Sequence, residues 1–570
     1  MIIDVHSHLF TLRTILTREA MRVITQRLAD KGFPDFIVDA IHGLLDDLLE
    51  RPRYLDERAL LGLLFRKMLD TDDFNALLDD RLAGLPITIT LRGGDPADLP
   101  VDVLRRALDQ VSTLTDDAET LGKSVFDVVE TLRIALLPTI TDVADHILDQ
   151  MDRDDAIVAL MMDIRGPDEP ERDRENFVRQ IEGTEEAALQ RPGRVLPFFG
   201  VHPEREDHFD LLKQAVEQRG FLGVKLYPSL GYEVDHPALL NVYDYCIDMD
   251  VPVLLHCGHG GFYRKAEFID YCDPRHWEDV ITGSRESLRV CFAHFGGWQS
   301  LGTPEGLDPG TWGHTILTLI RNRPNVFTDL AYHTNQMERD EDERHYFTKL
   351  SEMLEDDLLK RRMLYGSDSW LLRLDLTNTV YQRYFREKMT AEEFRQIAEI
   401  APKEFLGFPA PGQPMRANLR RYIERMDTMD QSFGAEPATW LTAQLERDHD
   451  AERVPAGWSV RRDASARTWQ AFSRDQMSNA QRHKGFRVAR FIKLDDLRYF
   501  RPHAADFEHQ CEHLARMFVQ FAGQGVPFRG GWTETSSVEH FREVFERGDA
   551  TLGQVALTLD SIFRYERGLA

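Results

Sequence analysis

Cysteine is scarce in this sequence: five cysteines, an odd number, are scattered through 570 residues. No two of them have the C-x-x-C spacing of a zinc ribbon or of a dithiol redox motif. A disulfide framework is therefore excluded as the organising principle of the fold, and a reducing compartment is expected.

Long apolar runs are also missing. No stretch of about 18 consecutive apolar residues occurs, which is the length a membrane-spanning helix needs. The N-terminus does not combine a basic segment with a sustained apolar one, as a signal peptide does. The sequence thus predicts neither a membrane span nor a signal peptide, and a cytoplasmic protein is expected.

Basic residues are outnumbered by acidic ones. The chain has 69 Lys and Arg against 96 Asp and Glu, which gives a formal net charge of −27. Such a charge repels nucleic acids and anionic membranes, so a small-molecule substrate is the expected partner. There is no low-complexity tract, and the 42% hydrophobic fraction is typical of a folded protein with a large core.

Eight short apolar runs, which alternate with helical stretches over much of the chain, indicate the fold. They are IIDVH, AIVALMMD, VLPFFGVHP, GVKLYP, VPVLLHCG, VCFAHFGG, NVFTDLAY and RMLYGSD. Near-continuous apolar strands that alternate with helices are typical of a parallel sheet covered on both faces. We predict an α/β protein with a (β/α)8 TIM-type barrel, with an open doubly wound sheet as the alternative.

The predicted barrel comprises residues 1–10 and 151–408. Residues 11–150 lie between these two parts of the barrel, and their apolar residues recur at helical spacing. They are therefore predicted to form a helical insertion or cap after strand one. A Pro-rich segment follows the barrel, and residues 409–570 are predicted as a mainly helical C-terminal extension. Both additions offer surfaces for a homo-oligomer or a protein partner.

The predicted extension contains a basic run, at residues 453–501, in which aromatic residues are interleaved. One interpretation is a face that is solvated or that docks on an acidic surface of the same protein. The other is a binding site for an anionic substrate or partner.

Polar side chains stand at the C-terminal ends of five of the eight predicted strands. They are His6 and His8 after strand one, Lys225 after strand four, His256 after strand five, His294 after strand six and Asp368 after strand eight. Alternation along a strand places Asp4, His6 and His8 on one face, so that two imidazoles share one volume. In a barrel of this type the C-terminal strand ends meet at one rim, where active sites are built.

Several imidazoles and a carboxylate form a ligand set suited to Zn²⁺ and related divalent ions, with a position left open for water. A bound ion would make hydroxide available near pH 7. Asp368 is the predicted general base, and His294 is predicted to stabilise negative charge on the substrate oxygen.

Each of these residues also has a structural interpretation. Asp368 could cap the helix that follows it. His256 and His294 could be hydrogen-bonded core histidines, and Lys225 could extend out of the barrel mouth with its stem packed on apolar neighbours.

The order of HxH, Lys, His, His and Asp in a G-S-D sequence resembles the amidohydrolase superfamily of metal-dependent hydrolases. GVKLYP, AHFGG and LYGSD are similar to its amidohydrolase 2 branch, which includes hydrolases, lactonases and non-oxidative decarboxylases. The resemblance covers residues 1–408 and says nothing about the substrate.

This resemblance implies roles for individual residues. The principal metal would be bound by His6, His8, His256 and Asp368. In two-metal relatives Lys225 would be carboxylated and bridge the ions, with His294 on the second. In single-metal relatives His294 would orient water or polarise the substrate, and Lys225 would be a cation for a substrate carboxylate. One ion is expected, with zinc ahead of manganese or iron.

Four further residues follow or adjoin the predicted strand ends and are candidates for substrate binding, namely His202, Tyr227, His259 and Trp370. The prediction is therefore a metal-dependent hydrolase that acts on a C–N or C–O bond of a small anionic molecule. Non-oxidative decarboxylation is the alternative reaction, and a non-catalytic binding or assembly module is the alternative of another class.

Overall fold

The computed structural model describes residues 1–50, 55, 57–81, 91, 93–107, 125–409, 415–427 and 437–443. The basic run at 453–501 lies outside the described residues, as does most of the predicted extension. The described residues fall into two compact units. The larger comprises residues 1–188 and 194–421, and of the smaller residues 189–193, 422–427 and 437–443 are described.

Eight parallel strands follow one another around the sheet in chain order. They are β1 (Ile3–His8), β2 (Ala156–Leu160), β3 (Val195–Val201), β4 (Gly223–Leu226), β5 (Val253–Leu255), β6 (Val290–Phe292), β7 (Val326–Asp329) and β8 (Met363–Leu364). Every residue of these strands is buried, which explains why the runs read as almost continuously apolar. The predicted (β/α)8 barrel is confirmed.

Backbone hydrogen bonds bring the first and last strands together. The Val5 N–H donates to the Tyr365 carbonyl at 3.1 Å, and the Asp368 N–H donates to the His6 carbonyl at 2.7 Å. The Asp4 carboxylate reinforces this junction, because it accepts the backbone N–H of Ser367 at 2.9 Å as well as the Ser367 hydroxyl. The end of β1 is thereby fixed beside the segment that follows β8.

Helices occupy the connections between the strands and also follow the last strand. In chain order they are α1 (Leu12–Ile15), α2 (Arg18–Asp30), α3 (Asp35–Glu50), α4 (Glu57–Leu69), α5 (Asp72–Arg81), α6 (Val125–Ala135), α7 (Ile140–Leu148), α8 (Pro170–Gln190), α9 (His208–Gln218), α10 (Pro237–Asp248), α11 (Gln299–Gly302), α12 (Trp312–Asn322), α13 (Asp340–Glu355), α14 (Ser369–Leu372), α15 (Asn378–Lys388), α16 (Ala391–Arg395), α17 (Ala401–Leu406) and α18 (Ala417–Asp427). Residues 101–107 are also helical.

The helices between β1 and β2 form the insertion and have their own apolar core. Thr17 caps the N-terminus of helix α2, because its hydroxyl accepts the N–H of Ala20 at 3.1 Å. The core of the insertion also includes Tyr227, Phe262 and Trp370, which follow strands β4, β5 and β8. The insertion therefore packs on the rim where the C-terminal strand ends meet.

Two absences expected from the sequence can be checked within the described ranges. No helix there is long and apolar enough to cross a membrane. The four described cysteines are free and buried.

Candidate metal centre

The strand-end residues converge on one rim of the barrel. His6 and His8 lie at the end of β1 with their ring centroids 5.3 Å apart, and the ring of His6 is 4.8 Å from that of His294. The ring of His294 lies in turn 4.9 Å from that of His256. Four imidazoles from strands β1, β5 and β6 thus share one buried volume.

Hydrogen bonds at Nδ1 fix the orientation of both histidines of the H-x-H motif. Nδ1 of His6 lies 3.0 Å from Oδ2 of Asp329, and Nδ1 of His8 lies 3.2 Å from the Leu160 carbonyl oxygen. Both partners are acceptors, so each Nδ1 carries the hydrogen and each neutral ring has its lone pair at Nε2. Burial lowers the pKa of both rings well below the usual value, which favours this neutral form.

His256 and His294 face each other through their lone pairs. Nδ1 of His294 donates to the Ala331 carbonyl at 2.9 Å, and Nε2 of His256 donates to the Gly260 carbonyl at 2.9 Å. The remaining nitrogens, Nε2 of His294 and Nδ1 of His256, lie only 3.1 Å apart. Two neutral rings in these tautomers repel each other at that distance unless a cation or a hydrogen-bond donor occupies at least one of the lone pairs. This contact has the chemistry of a metal site rather than of a hydrogen-bonded core.

Asp368 does not act as the helix cap that its position before α14 suggested. Its backbone is left-handed, with φ 57°, and its side chain makes no capping hydrogen bond. The carboxylate is buried and its Oδ1 has no hydrogen-bond partner within the described residues. Burial raises the pKa of Asp368 to about 7, against the opposing effect of the Lys225 charge. A buried carboxylate oxygen without a hydrogen-bond partner is suited to bind a cation.

Lys225 is fully enclosed and does not reach out of the barrel mouth. Its Nζ lies 3.3 Å from Nε2 of His6. Burial lowers the pKa of Lys225 to about 8, although the nearby carboxylates of Asp329 and Asp368 oppose the shift. The ammonium thus competes with a metal ion for the same lone pair.

Asp329, at the end of β7, is a residue that the sequence reasoning missed. Besides contacting His6, its carboxylate accepts the backbone N–H of His294 at 2.8 Å and that of Ala331 at 3.0 Å. The run NVFTDLAY is predicted to be a strand, and the polar residue at its end is the signal that identifies Asp329. Asp329 positions two of the candidate ligands at once.

The amidohydrolase family model Amidohydro_2 matches residues 137–408, which contain strands β2 to β8. This region belongs to the amidohydrolase family. The match begins after most of the insertion, so it does not include His6 and His8; sheet pairing and the contacts above join them to the amidohydrolase region. The prediction of the family and of an enzyme of this type is confirmed.

The chain is similar to solved structures at low sequence identity. A TIM-barrel protein from Bordetella bronchiseptica has 17% identity and a TM-score of 0.35 over 49% of this chain and 89% of that one. A 2,6-dihydroxybenzoate decarboxylase from Rhizobium has 12% identity and a TM-score of 0.32 over 45% and 86%. A 4-oxalomesaconate hydratase from Rhodopseudomonas palustris has 12% identity and a TM-score of 0.33 over 71% and 95%. No curated protein matches the chain.

The donor atoms at this rim fit a divalent ion. One nitrogen or oxygen from each of His6, His8 and Asp368 lies within 4.8 Å of the others, and the same holds for His6, His294 and Asp329. Nitrogen and oxygen donors suit Zn²⁺, Mn²⁺ or Fe²⁺, and the hydrogen bond of each histidine's other ring nitrogen fixes the orientation of the ligand. Both sets include His6.

A cavity of about 540 Å³ opens beside these residues and is large enough for a small substrate. His259 lines it, with its ring stacked 3.8 Å from that of Trp312. The other candidates for substrate binding, His202, Tyr227 and Trp370, are not among its described lining residues.

These three candidates have other surroundings. Tyr227 stacks 4.2 Å from the ring of His256 and accepts the Phe262 N–H, so it supports a candidate ligand from behind. Trp370 packs 4.5 Å from Phe10 in the core of the insertion, and His202 is buried 4.7 Å from the Tyr232 ring. A position just past a strand end does not fix the direction of a side chain.

Proposed function

We propose that this amidohydrolase is a metal-dependent hydrolase that cleaves a C–N or C–O bond of a small anionic substrate. The observation that carries the proposal is the convergence of lone pairs: Nε2 of His294 and Nδ1 of His256 lie 3.1 Å apart, both oriented by carbonyl oxygens. The buried Oδ1 of Asp368 adds an acceptor without a partner. Such a set is stable when a divalent cation neutralises it.

We assign the principal ion to His6, His8, His256 and Asp368, and we expect one ion, with zinc ahead of manganese and iron. When bound there, the ion supplies a Lewis acid and lowers the pKa of water toward neutrality. Asp329 holds the His6 ring, and the Leu160 carbonyl holds the His8 ring, so the chain supplies ligands that are already oriented.

His294 is better suited to accept a hydrogen bond than to donate one. Its Nδ1 hydrogen is used by the Ala331 carbonyl, and burial lowers the pKa of the ring to about 4. The sequence predicted that His294 stabilises negative charge on the substrate oxygen. A neutral His294 in this tautomer cannot do so through Nε2, because that atom carries no hydrogen. In the proposed reaction Nε2 accepts a hydrogen bond from the attacking water and orients it.

Asp368 carries the proton in the proposed hydrolysis. Its carboxylate takes a proton from the water that attacks the carbonyl carbon, and then gives that proton to the leaving nitrogen or oxygen as the C–N or C–O bond breaks. The acyl product leaves as a carboxylic acid or carboxylate. Enclosure of Asp368 keeps bulk water away from the proton during this transfer.

Non-oxidative decarboxylation is the second candidate, and the buried ammonium of Lys225 favours it. A cation beside the candidate ligands can pair with a substrate carboxylate held at the ion. The C–C bond to that carboxylate would then break, CO2 would leave, and Asp368 in its protonated form would protonate the carbon left behind.

Metal analysis of the gently purified full chain tests the proposed function. We expect about one equivalent of zinc, manganese or iron by plasma mass spectrometry, lost in a His6→Ala/His8→Ala variant. The control variant His42→Ala/His276→Ala removes two exposed imidazoles and is expected to keep the ion. About two equivalents would instead assign Lys225 as a carboxylated bridge and His294 as a ligand. A wild-type chain that holds no divalent ion after reconstitution would contradict the proposal.

Isotope labelling separates the two reactions on any substrate found by screening esters, lactones, amides and carboxylic acids. Hydrolysis places one oxygen atom from H2¹⁸O in the product. Decarboxylation releases CO2 and places one deuterium from D2O on carbon. Turnover that shows neither label pattern would reject both candidates.

A further inference from the structure

Arg27 belongs to the insertion but reaches the cavity beside the candidate metal centre. It lies in the last turn of α2 and lines the same cavity as His256, His294 and Asp368. Its charge acts on Asp368 and on Tyr227, the tyrosine stacked on His256. The insertion therefore contributes a cation to a cavity whose candidate metal ligands come from the barrel.

The Arg27 guanidinium has no partner in the described part of the chain. No hydrogen bond or ion pair is formed by this side chain there, and its Nε is buried without an acceptor. The neighbouring cation differs: Lys31 Nζ lies 2.7 Å from Asp375 Oδ2, which also accepts the Tyr332 hydroxyl at 2.6 Å. Thus Lys31 is neutralised by a carboxylate of the protein, whereas the Arg27 guanidinium lines the cavity and pairs directly with no carboxylate of the described residues.

Contacts on both sides of Arg27 hold α2 in place. Near the start of the helix, Arg264 Nε donates to Glu19 Oε1 at 3.0 Å. At its end, the Tyr263 hydroxyl donates to Asp30. Arg264 and Tyr263 both belong to the segment that follows β5, so these contacts tie the helix to that segment. The guanidinium is therefore presented by a fixed element rather than by a free loop.

Gly260 connects Arg27 to the candidate metal ligands. A Cβ atom at this glycine would lie 3.6 Å from Nη1 of Arg27, so the guanidinium lies directly against the backbone there. The carbonyl of the same residue accepts the hydrogen bond from Nε2 of His256 at 2.9 Å. One backbone residue thus separates the guanidinium from a candidate ligand of the ion.

We propose that Arg27 binds a carboxylate of the substrate, and that the substrate therefore carries a carboxylate apart from its reacting bond. A guanidinium with free N–H groups suits the two oxygens of a carboxylate, which it binds in a bidentate manner. The cavity is also lined by Asp30, Glu338 and Asp368, whose negative charges repel a doubly charged phosphate group at Arg27 more strongly than a singly charged carboxylate group. This inference rests on the proposed function for the reaction, but the recognition step can be measured without turnover.

The test titrates the zinc-loaded full chain with the dicarboxylates from malonate to adipate, and with their monoamides, by calorimetry. Three chains are compared: wild type, Arg27→Met and Arg18→Met. Arg18 lies on the same helix, but its guanidinium is exposed and does not line the cavity. For the dicarboxylate that binds best, Arg27→Met is expected to weaken binding about 10- to 100-fold, and Arg18→Met to leave it unchanged.

The monoamides show whether the loss belongs to the carboxylate. In wild type, replacing one carboxylate of the ligand by an amide is expected to weaken binding about as much as Arg27→Met does. In Arg27→Met, the dicarboxylate and its monoamide are expected to bind with equal affinity. Equal binding of acids by wild type and Arg27→Met, or no saturable binding of any dicarboxylate by wild type, would overturn the inference. Tighter Arg27-dependent binding of 3-phosphonopropionate than of succinate would overturn the carboxylate assignment.

Failure of the inference is distinguishable from failure of the proposed function. A chain that holds its ion but shows no Arg27-dependent preference for acids over amides contradicts only the inference. A chain that holds no ion contradicts the proposed function, and the same titration of the metal-free protein then still decides the role of Arg27.

Discussion

Oδ2 of Asp329 lies 3.0 Å from Nδ1 of His6, and this contact determines which nitrogen of His6 faces the candidate ion. A carboxylate accepts only, so Nδ1 carries the hydrogen and Nε2 is left as the ligand atom. The other oxygen of Asp329 accepts the His294 N–H. The end of β7 therefore orients residues at the ends of β1 and β6.

Asp329→Asn is expected to weaken metal binding about 10- to 100-fold, the usual cost of losing such an outer hydrogen bond. An amide nitrogen in place of Oδ2 would face the His6 Nδ1 hydrogen and favour the other tautomer, in which Nε2 is protonated. Competition with a chromophoric chelator measures the zinc affinity. The control Asp375→Asn removes a carboxylate that lines the cavity but contacts Lys31 and Tyr332. Unchanged affinity in Asp329→Asn would show that Asp329 does not orient the ligand.

Lys225→Met is expected to tighten the binding of a single ion while turnover falls. The Lys225 ammonium lies 3.3 Å from Nε2 of His6, where it repels the ion and competes for the lone pair. The same chelator competition measures the affinity. The control is Lys31→Met, whose ammonium is paired with Asp375.

The opposite result has a clear meaning. If Lys225→Met loses an equivalent of metal, and the wild-type chain takes up ¹³C-bicarbonate into a carbamate signal, then Lys225 is a bridging ligand and the site holds two ions.

The barrel could be predicted because both faces of its strands are buried, so that each strand is an almost uninterrupted apolar run in the sequence. Polar residues interrupt these runs at their ends, and His6, His8, His256, His294 and Asp368 meet as that pattern predicted. Asp329 follows the same rule and could have been found by it.

Other features of the site depend on packing that one sequence does not specify. Arg27 lies on an amphipathic helix far from any strand, and only the seating of α2 on the loop after β5 brings it to the cavity. His202 and Trp370 follow strand ends, but His202 packs against the Tyr232 ring and Trp370 against Phe10. The tautomers of the histidines depend on carbonyl groups, such as that of Ala331, which no side-chain pattern records.

Acid is expected to remove the stabilising contribution of Glu404, in the last barrel helix α17. Burial raises the pKa of Glu404, but hydrogen bonds from Arg361 and Arg362 outweigh this effect and hold it below the usual 4.5. A carboxylate whose pKa is lower in the folded state than in the unfolded state stabilises the protein at pH values above the unfolded-state pKa. This contribution is lost as the pH falls through the folded-state pKa. Glu404→Gln should therefore lower the thermal midpoint at pH 7, by an amount that decreases as the pH falls below 4.5.

Scanning fluorimetry across this pH range measures the effect, with Glu392→Gln as the control. Glu392 is exposed and lies 3.4 Å from Arg395, so a small change at every pH is expected. A difference between wild type and Glu404→Gln that persists unchanged at low pH would mean that the lost interaction is not ionic.

Gly261→Ala is expected to damage the candidate site through its backbone. Gly261 has φ 91°, a conformation that side chains rarely adopt, and a Cβ there would lie 2.3 Å from the Tyr227 hydroxyl and 2.7 Å from Cε1 of His256. Relief of this overlap must move the His256 ring or the stacked Tyr227. Zinc affinity should fall about tenfold or more, because a ligand nitrogen is displaced from its position.

The matched control is Gly258→Ala in the same loop, where a Cβ would meet its nearest atom, Cδ2 of His294, at an ordinary 3.5 Å. This variant is expected to keep both fold and metal. Circular dichroism of the two variants separates local displacement from unfolding. If a folded Gly261→Ala chain binds zinc as tightly as Gly258→Ala, then the ring of His256 is not held by this loop, and its place among the ligands has to be reassigned.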